Sequence, residues 1–200
     1  MSSLVDISRH FDERASGYHP ASLRPPWRWV RDLESRAVLQ ALGDVEGQEV
    51  LELGCGAGFY TRLLAERGAA RIVAVDASAA MVDQLPAGRV RGVVGDAATV
   101  DVGGPFSLLL SAGMLEFVPD PVAVLANAAR HARAGARLVV LVPPRSLGGR
   151  MYARHYRTRG IRVNLFGAPE LRALAQRTGW ASQGEVTVHP FALVATLRRD

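Results

Sequence analysis

From Glu49 onward the chain alternates between short apolar runs and stretches whose apolar residues recur at helical spacing. EVLELG (49–54), RIVAVDA (71–77), VRGVVGDA (90–97), FSLLLSAG (106–113) and ARLVVLVPP (136–144) read as strands. Most are too continuously apolar to have a wet face. Between them FYTRLLAERG (59–68), SAAMVDQL (78–85) and DPVAVLANAARHARAG (120–135) read as helices. Ser78 and Asp120 are placed as N-caps, Pro121 at a first helical position, and Gly68 and Gly135 as stops. Strand and helix alternating in this way predict a parallel sheet covered on both faces, a doubly wound α/β architecture.

The two ends depart from that rhythm. Residues 1–45 lack strand character, and WRWVRDLESRAVLQAL (27–42) sets Val30, Leu33, Ala37, Val38 and Ala41 on one side of a helix before Gly43. After the helical APELRALAQRTG (168–179), the runs SQGEVTVH (182–189) and FALVATLRR (191–199) are separated only by Pro190. No helix fits between them, so they pair antiparallel at one edge of the sheet. The expected organisation is an N-terminal helical cap or lid over 1–45 and a cofactor-binding domain over 46–200, with a substrate-facing insertion at 145–167.

Composition narrows the class. A chain of 200 residues that is 48% hydrophobic can build a single sizeable core, and 22% charged residues exclude a disordered protein. No apolar stretch approaches the ~18 residues of a membrane span. Residues 1–16 carry charges where a secretory signal needs its apolar region, so a cytoplasmic location is expected. The net charge is +5 and the chain contains no lysine. With alanine, glycine and valine abundant, the all-arginine usage reads as compositional bias, so the basic pI is discounted as evidence for nucleic acid. Cys55 is the only cysteine, which excludes an intrachain disulfide and a cysteine zinc cluster; no metal is expected.

The chemistry concentrates in LELGCGAGF (51–59). A Walker loop needs Gly-Lys-Ser/Thr, and without lysine it is excluded. A dinucleotide fingerprint, G-x-G-x-x-G, needs its third glycine one residue later than Gly58, where Phe59 stands. Glu52, two residues before Gly54 and aimed into the mouth of the turn, repels a pyrophosphate but suits an ammonium. Asp76, closing the second strand, suits a ribose. These residues imply a cationic, ribose-bearing cofactor.

VLELGCGAGFYTRLLA, then VAVDAS, GDA, FSLLLSAGMLEFVPDP and a terminal strand pair, resembles the class I S-adenosylmethionine-dependent methyltransferases over residues 48–199. The resemblance implies a Rossmann-like sheet of seven strands, mostly parallel, with the last inserted antiparallel. It implies S-adenosyl-L-methionine as cofactor, its methionine portion held by Glu52, Gly54, Cys55, Gly56 and Gly58. Asp76 would bind the ribose, Ala77 and Met81 the adenine face, Asp96 the adenine amino group and Ala97 the ring. Ser111 and Ala112 would line the floor near the sulfonium, with Met114 beside them.

SAGM at the fourth strand end lacks the Asn/Asp-Pro-Pro-Tyr/Phe segment of many amino methyltransferases. It also has Ser111 where metal-dependent catechol enzymes carry aspartate. What remains is the large group of metal-independent enzymes acting on small molecules, and the leading reading among them is transfer to a hydroxyl or carboxyl oxygen, with the acceptor atom open. HFDERASGYH resembles a lid segment of small-molecule members, implying Phe11 and Tyr18 near the methyl group, with His10 and His19 as candidate bases by proximity. Six arginines fall in 145–162 without an acid, beside Tyr152, His155 and Tyr156. They read as a solvated helix face with one or two arginines free to clamp an anionic acceptor. The catalytic candidates are His155, Tyr18 and His19, with His189 a further base. A monomer or homodimer without membrane attachment is expected. The competing readings are an RNA methyltransferase using the 145–162 arginines and a catalytically silent cofactor-binding regulatory domain.

Overall fold

The computed structural model describes residues 9, 12 and 27–200. Helix α1 (Trp27–Leu42) precedes an alternating run: β1 (Glu49–Leu53), α2 (Phe59–Glu66), β2 (Arg71–Asp76), α3 (Ala79–Val82), β3 (Val90–Val94) and β4 (Phe106–Ala112). There follow α4 (Pro121–Arg130), β5 (Ala132–Val142), α5 (Leu147–Arg157), α6 (Ala168–Arg177), β6 (Trp180–His189) and β7 (Ala192–Arg199). The strands form one seven-stranded sheet in the order β3-β2-β1-β4-β5-β7-β6. β1 to β5 are parallel, while β7 runs antiparallel between β5 and β6. This is the doubly wound sheet with an antiparallel C-terminal pair that the sequence predicts.

The continuous apolar runs are continuous because helices bury both faces. One face packs Phe106, Leu109, Leu138 and Trp180; the other packs Val38 and Leu42 of α1 with Leu64 of α2. Trp180 also donates its indole N–H to Leu125 O at 3.0 Å, tying β6 to α4. Leu33, expected on the packed side of α1, is 51% exposed.

Ser78 caps α3 by accepting from Met81 N–H at 3.1 Å, and Asp120 caps α4 by accepting from Val122 and Ala123. One boundary differs from the sequence reading. Gly135 does not end α4, because the helix stops at Arg130 and Ala132 already pairs with Phe106. The buried His131 holds that junction: Nδ1–H donates to Asn127 O at 2.9 Å and Nε2 accepts from Val102 N–H at 3.3 Å. The insertion contains α5, capped by Ser146, which accepts from Gly149 N–H. Among the described residues no helix is long and apolar enough to cross a membrane.

Candidate active site

The sheet order reverses between β1 and β4, and crevices outside the carboxyl ends of parallel strands at such a switch point are where ligands bind. β1 leads straight into the Gly54 turn there. Gly54 and Cys55 N–H both donate to Val75 O, at 2.8 and 3.0 Å, which locks the turn onto β2. Gly54 has φ +76°, and a Cβ on it would stand 2.3 Å from Met114 Cβ, so only glycine lets the two strand ends approach. Arg62 of α2 staples the far side by donating to Ala57 O, Gly58 O and Gln84 O.

Asp76 completes the cradle. Its Oδ2 accepts from Gly56 N–H at 2.8 Å and its Oδ1 from Ser78 N–H at 3.0 Å. Burial holds this carboxyl above its ordinary range, against the pull of those amides. The Ser78 hydroxyl in turn donates to the Asp12 carboxylate.

A cavity of about 660 Å³ opens over this turn. It brings together most of the residues expected to hold a cofactor: Gly54, Cys55, Gly56, Asp76, Ala77, Met81, Asp96, Ala97 and Ala112. Asp96 holds its loop by accepting from Ala98 N–H at 2.9 Å. The Cys55 thiol is pushed up by burial and by the nearby carboxyls of Glu52 and Asp76, which makes it an inert turn residue.

Three expected cofactor residues lie elsewhere. Gly58 initiates α2 with φ +82°, against Leu85 and Arg62, and does not line the cavity. Ser111 is buried outside the lining, its Oγ without a partner among the described residues. Glu52 does not reach the mouth, because β1 holds it beneath the turn at 2% exposure. Its Oε2 accepts from Thr61 Oγ1 at 2.6 Å. Burial, with a smaller push from Asp76, raises this carboxyl to about 8.

The far end of the cavity was less legible. Tyr18, His19, His10 and Phe11 lie outside the described residues. His155 lines the cavity, but its Nε2 sits 2.6 Å from Arg159 Nη1, so the guanidinium occupies the lone pair a base needs. None of the six arginines of 145–162 lines the cavity, and Arg145 is paired with Glu170 at 2.8 Å. They occupy exposed positions, which gives an anion clamp no support. Arg31 of α1, over the Phe59 ring at 4.6 Å, is the arginine among the described lining residues.

The sequence reading passed over two carboxyls at this end, Glu34 and Glu116. Glu34 Oε1 lies 3.0 Å from His189 Nε2, and His189 Nδ1 accepts from Phe191 N–H, which joins α1 to the β6–β7 turn. Glu116 is 3% exposed, and burial, with Glu34 nearby, raises it to about 8. The only sequence signal for it was an acid inside the apolar stretch LEFVP. No group of three or more metal-ligating side chains is assembled among the described residues.

A seven-stranded sheet of this order, with its cradle at the β1–β4 switch point, defines the class I methyltransferase fold. Residues 27–183 match the family model described as a methyltransferase domain, and the chain belongs to the S-adenosylmethionine-dependent methyltransferases. Trans-aconitate 2-methyltransferase of Azoarcus sp. (strain BH72) is 33% identical over 121 residues, 58% of this chain and 45% of that protein. The chain spans less than half the length of such curated relatives. Magnesium protoporphyrin IX methyltransferase of Synechocystis PCC 6803, solved with bound SAH, superposes with a TM-score of 0.76 at 18% identity. That match covers 97% of this chain and 98% of the other. The DhpI–SAH complex is 25% identical with a TM-score of 0.74, covering 100% and 98%.

Proposed function

We propose that this chain transfers the methyl group of S-adenosylmethionine to an oxygen of a small-molecule acceptor without a metal. The observation that carries the reading is the Asp76–Gly56 hydrogen bond, which sets a carboxylate and an open glycine turn side by side at the switch point. The donor set suits the cofactor. Asp76 and Asp96 accept from the nucleoside, Met81 and Ala97 flank its ring, and a Cβ on Gly56 would meet no protein atom within 4 Å. Glu52 acts from beneath the turn, its ionisation favoured when an ammonium arrives above it.

The cofactor supplies a methyl carbon already activated by positive sulfur. The protein's part is to hold the acceptor in line at roughly 3–3.5 Å and to keep water out. Tyr152 and Tyr156 of α5 and Phe191 after β6 wall the far end for that purpose. Residues 1–45 act as lid and 145–167 as substrate wall, a division favoured by Asp12 docking on Ser78 at the cofactor end. The acidic lining favours a small acceptor over RNA.

Calorimetry with S-adenosylmethionine, S-adenosylhomocysteine and NAD tests the cofactor. Tight binding of NAD alone would overturn the reading. A screen of small alcohols, phenols and carboxylic acids, read as methylated product by mass spectrometry, tests the acceptor. Transfer to RNA only would sink the small-molecule assignment.

A further inference from the structure

Among the described residues, Glu116 is the one buried carboxyl of the cavity wall left without a full set of partners. Its backbone carbonyl accepts from Asn164 N–H at 2.8 Å, fixing the main chain. Its Oε1 has the Tyr152 hydroxyl at 3.5 Å, and its Oε2 has no hydrogen-bond partner among the described residues. Oε1 lies 3.8 Å from where a Cβ on Gly113 would stand, just past the end of β4 and across the switch point from the Gly54 turn.

An ionised carboxylate buried without a cation costs several kcal/mol. Among the described residues, the surrounding groups do not supply one. From α1 come Glu34, a second carboxyl already bonded to His189 at the end of β6, and Arg31, held over Phe59. From α5 come Tyr152, Tyr156 and His155, the last bonded to Arg159; the turn and β2 contribute Cys55 and Asp76. Among the described residues no cation is paired with it, so the carboxyl can ionise when a ligand brings a positive charge beside it.

Resting on the methyltransferase reading above, we propose that Glu116 is the counter-charge of the cofactor's sulfonium and the group that receives the acceptor's proton. The acceptor oxygen's lone pair forms the new O–C bond, the C–S electron pair returns to sulfur, and the O–H proton passes to Glu116. One cation and one carboxylate enter the step, and neither leaves it. The buried carboxyl is thus never ionised without its partner. The acceptor class follows: a neutral hydroxyl compound, which has a proton to give up, and not a carboxylate, which has none.

Before binding, Glu116 holds its proton at neutral pH, since burial raises it to about 8. A sulfonium arriving beside it expels that proton, whereas the neutral thioether of S-adenosylhomocysteine does not. The test is calorimetry on the full chain at pH 7, in two buffers of different ionisation enthalpy, with each ligand. Glu52 and Asp76 face portions common to both ligands, so their contributions cancel. The excess proton release with S-adenosylmethionine over S-adenosylhomocysteine should fall by close to one proton in Glu116→Gln. In the unsubstituted protein, preference for the methylated ligand should rise up to ~10-fold per pH unit below 8 and then level off.

An unchanged excess in Glu116→Gln overturns the proposal. Should that variant melt before the assay, Glu116→Met and the pH series of the unsubstituted protein decide, a flat series counting against. Failure to bind either ligand instead overturns the methyltransferase reading.

Discussion

Asp76 Oδ2 accepts from Gly56 N–H at 2.8 Å, so the carboxylate placed for the ribose is also the strut that holds the glycine turn open. Asp76→Ala should therefore weaken S-adenosylhomocysteine binding more than a lost ribose contact alone. A charge-assisted hydrogen bond is worth about 1.5–3 kcal/mol, or roughly 10- to 150-fold in affinity. Calorimetry measures the loss, and affinity within twofold of the parent would contradict the strut.

Thr61 and Glu52 form a second buried unit, with Thr61 Oγ1 the side-chain donor on the carboxyl at 2.6 Å. Thr61→Val should cost about 1–3 kcal/mol in chemical denaturation. The loss should grow from pH 6 to pH 9, because the donor stabilises chiefly the ionised form.

Glu52 and Glu116 each keep a proton in the folded chain up to about 8, whereas an ordinary glutamate loses it near 4.5. Across that window the folded state binds more protons than the unfolded one, so stability falls as pH rises and levels off above 8. Each group contributes a slope of roughly 1.4 kcal/mol per pH unit. Melting temperatures of the unliganded protein from pH 5 to 9 should show the decline, and Glu52→Gln/Glu116→Gln should flatten it. A rise with pH would count against both burials.

Gly54 and Gly47 both have positive φ, but only Gly54 is crowded; a Cβ on Gly47 meets nothing within 4 Å. Gly54→Ala should cost about 1–3 kcal/mol more than Gly47→Ala, the difference being overpacking against Met114. Equal melting temperatures would show that the turn can back away.

The orphaned Ser111 hydroxyl gives the opposite sign. Ser111→Ala removes a buried group that has no partner and should leave the melting temperature unchanged or raised. A clear drop would mean that the hydroxyl is satisfied in solution.

The fold was legible because burial on both faces writes itself as uninterrupted apolar runs, as in β1, β2 and β4, and because Ser78 and Asp120 cap in the ordinary way. The α4–β5 boundary was not, since it depends on Ala132 pairing with Phe106, a partner far away in sequence. The nucleoside end was legible for a related reason: strand ends carry Asp76 and Asp96 to one place by topology alone. Direction was harder. Glu52 could be assigned to β1, but not sealed beneath the turn. The 145–162 arginines could be counted, but not seen to lie outside the cavity. Glu116 has no local pattern to mark it, because its meaning comes from Gly113, Tyr152 and Glu34 closing round it.

The placement of β7 governs the order in which the molecule can be finished. During synthesis β6 emerges before the strand that is its only sheet neighbour among the described residues, and β5 waits with one edge bare. Until residues 192–199 arrive, β5 keeps one edge bare and β6 has no sheet partner among the described residues, the kind of surface that recruits other chains. The protein's solubility while being made depends on how fast residues 192–199 thread between β5 and β6.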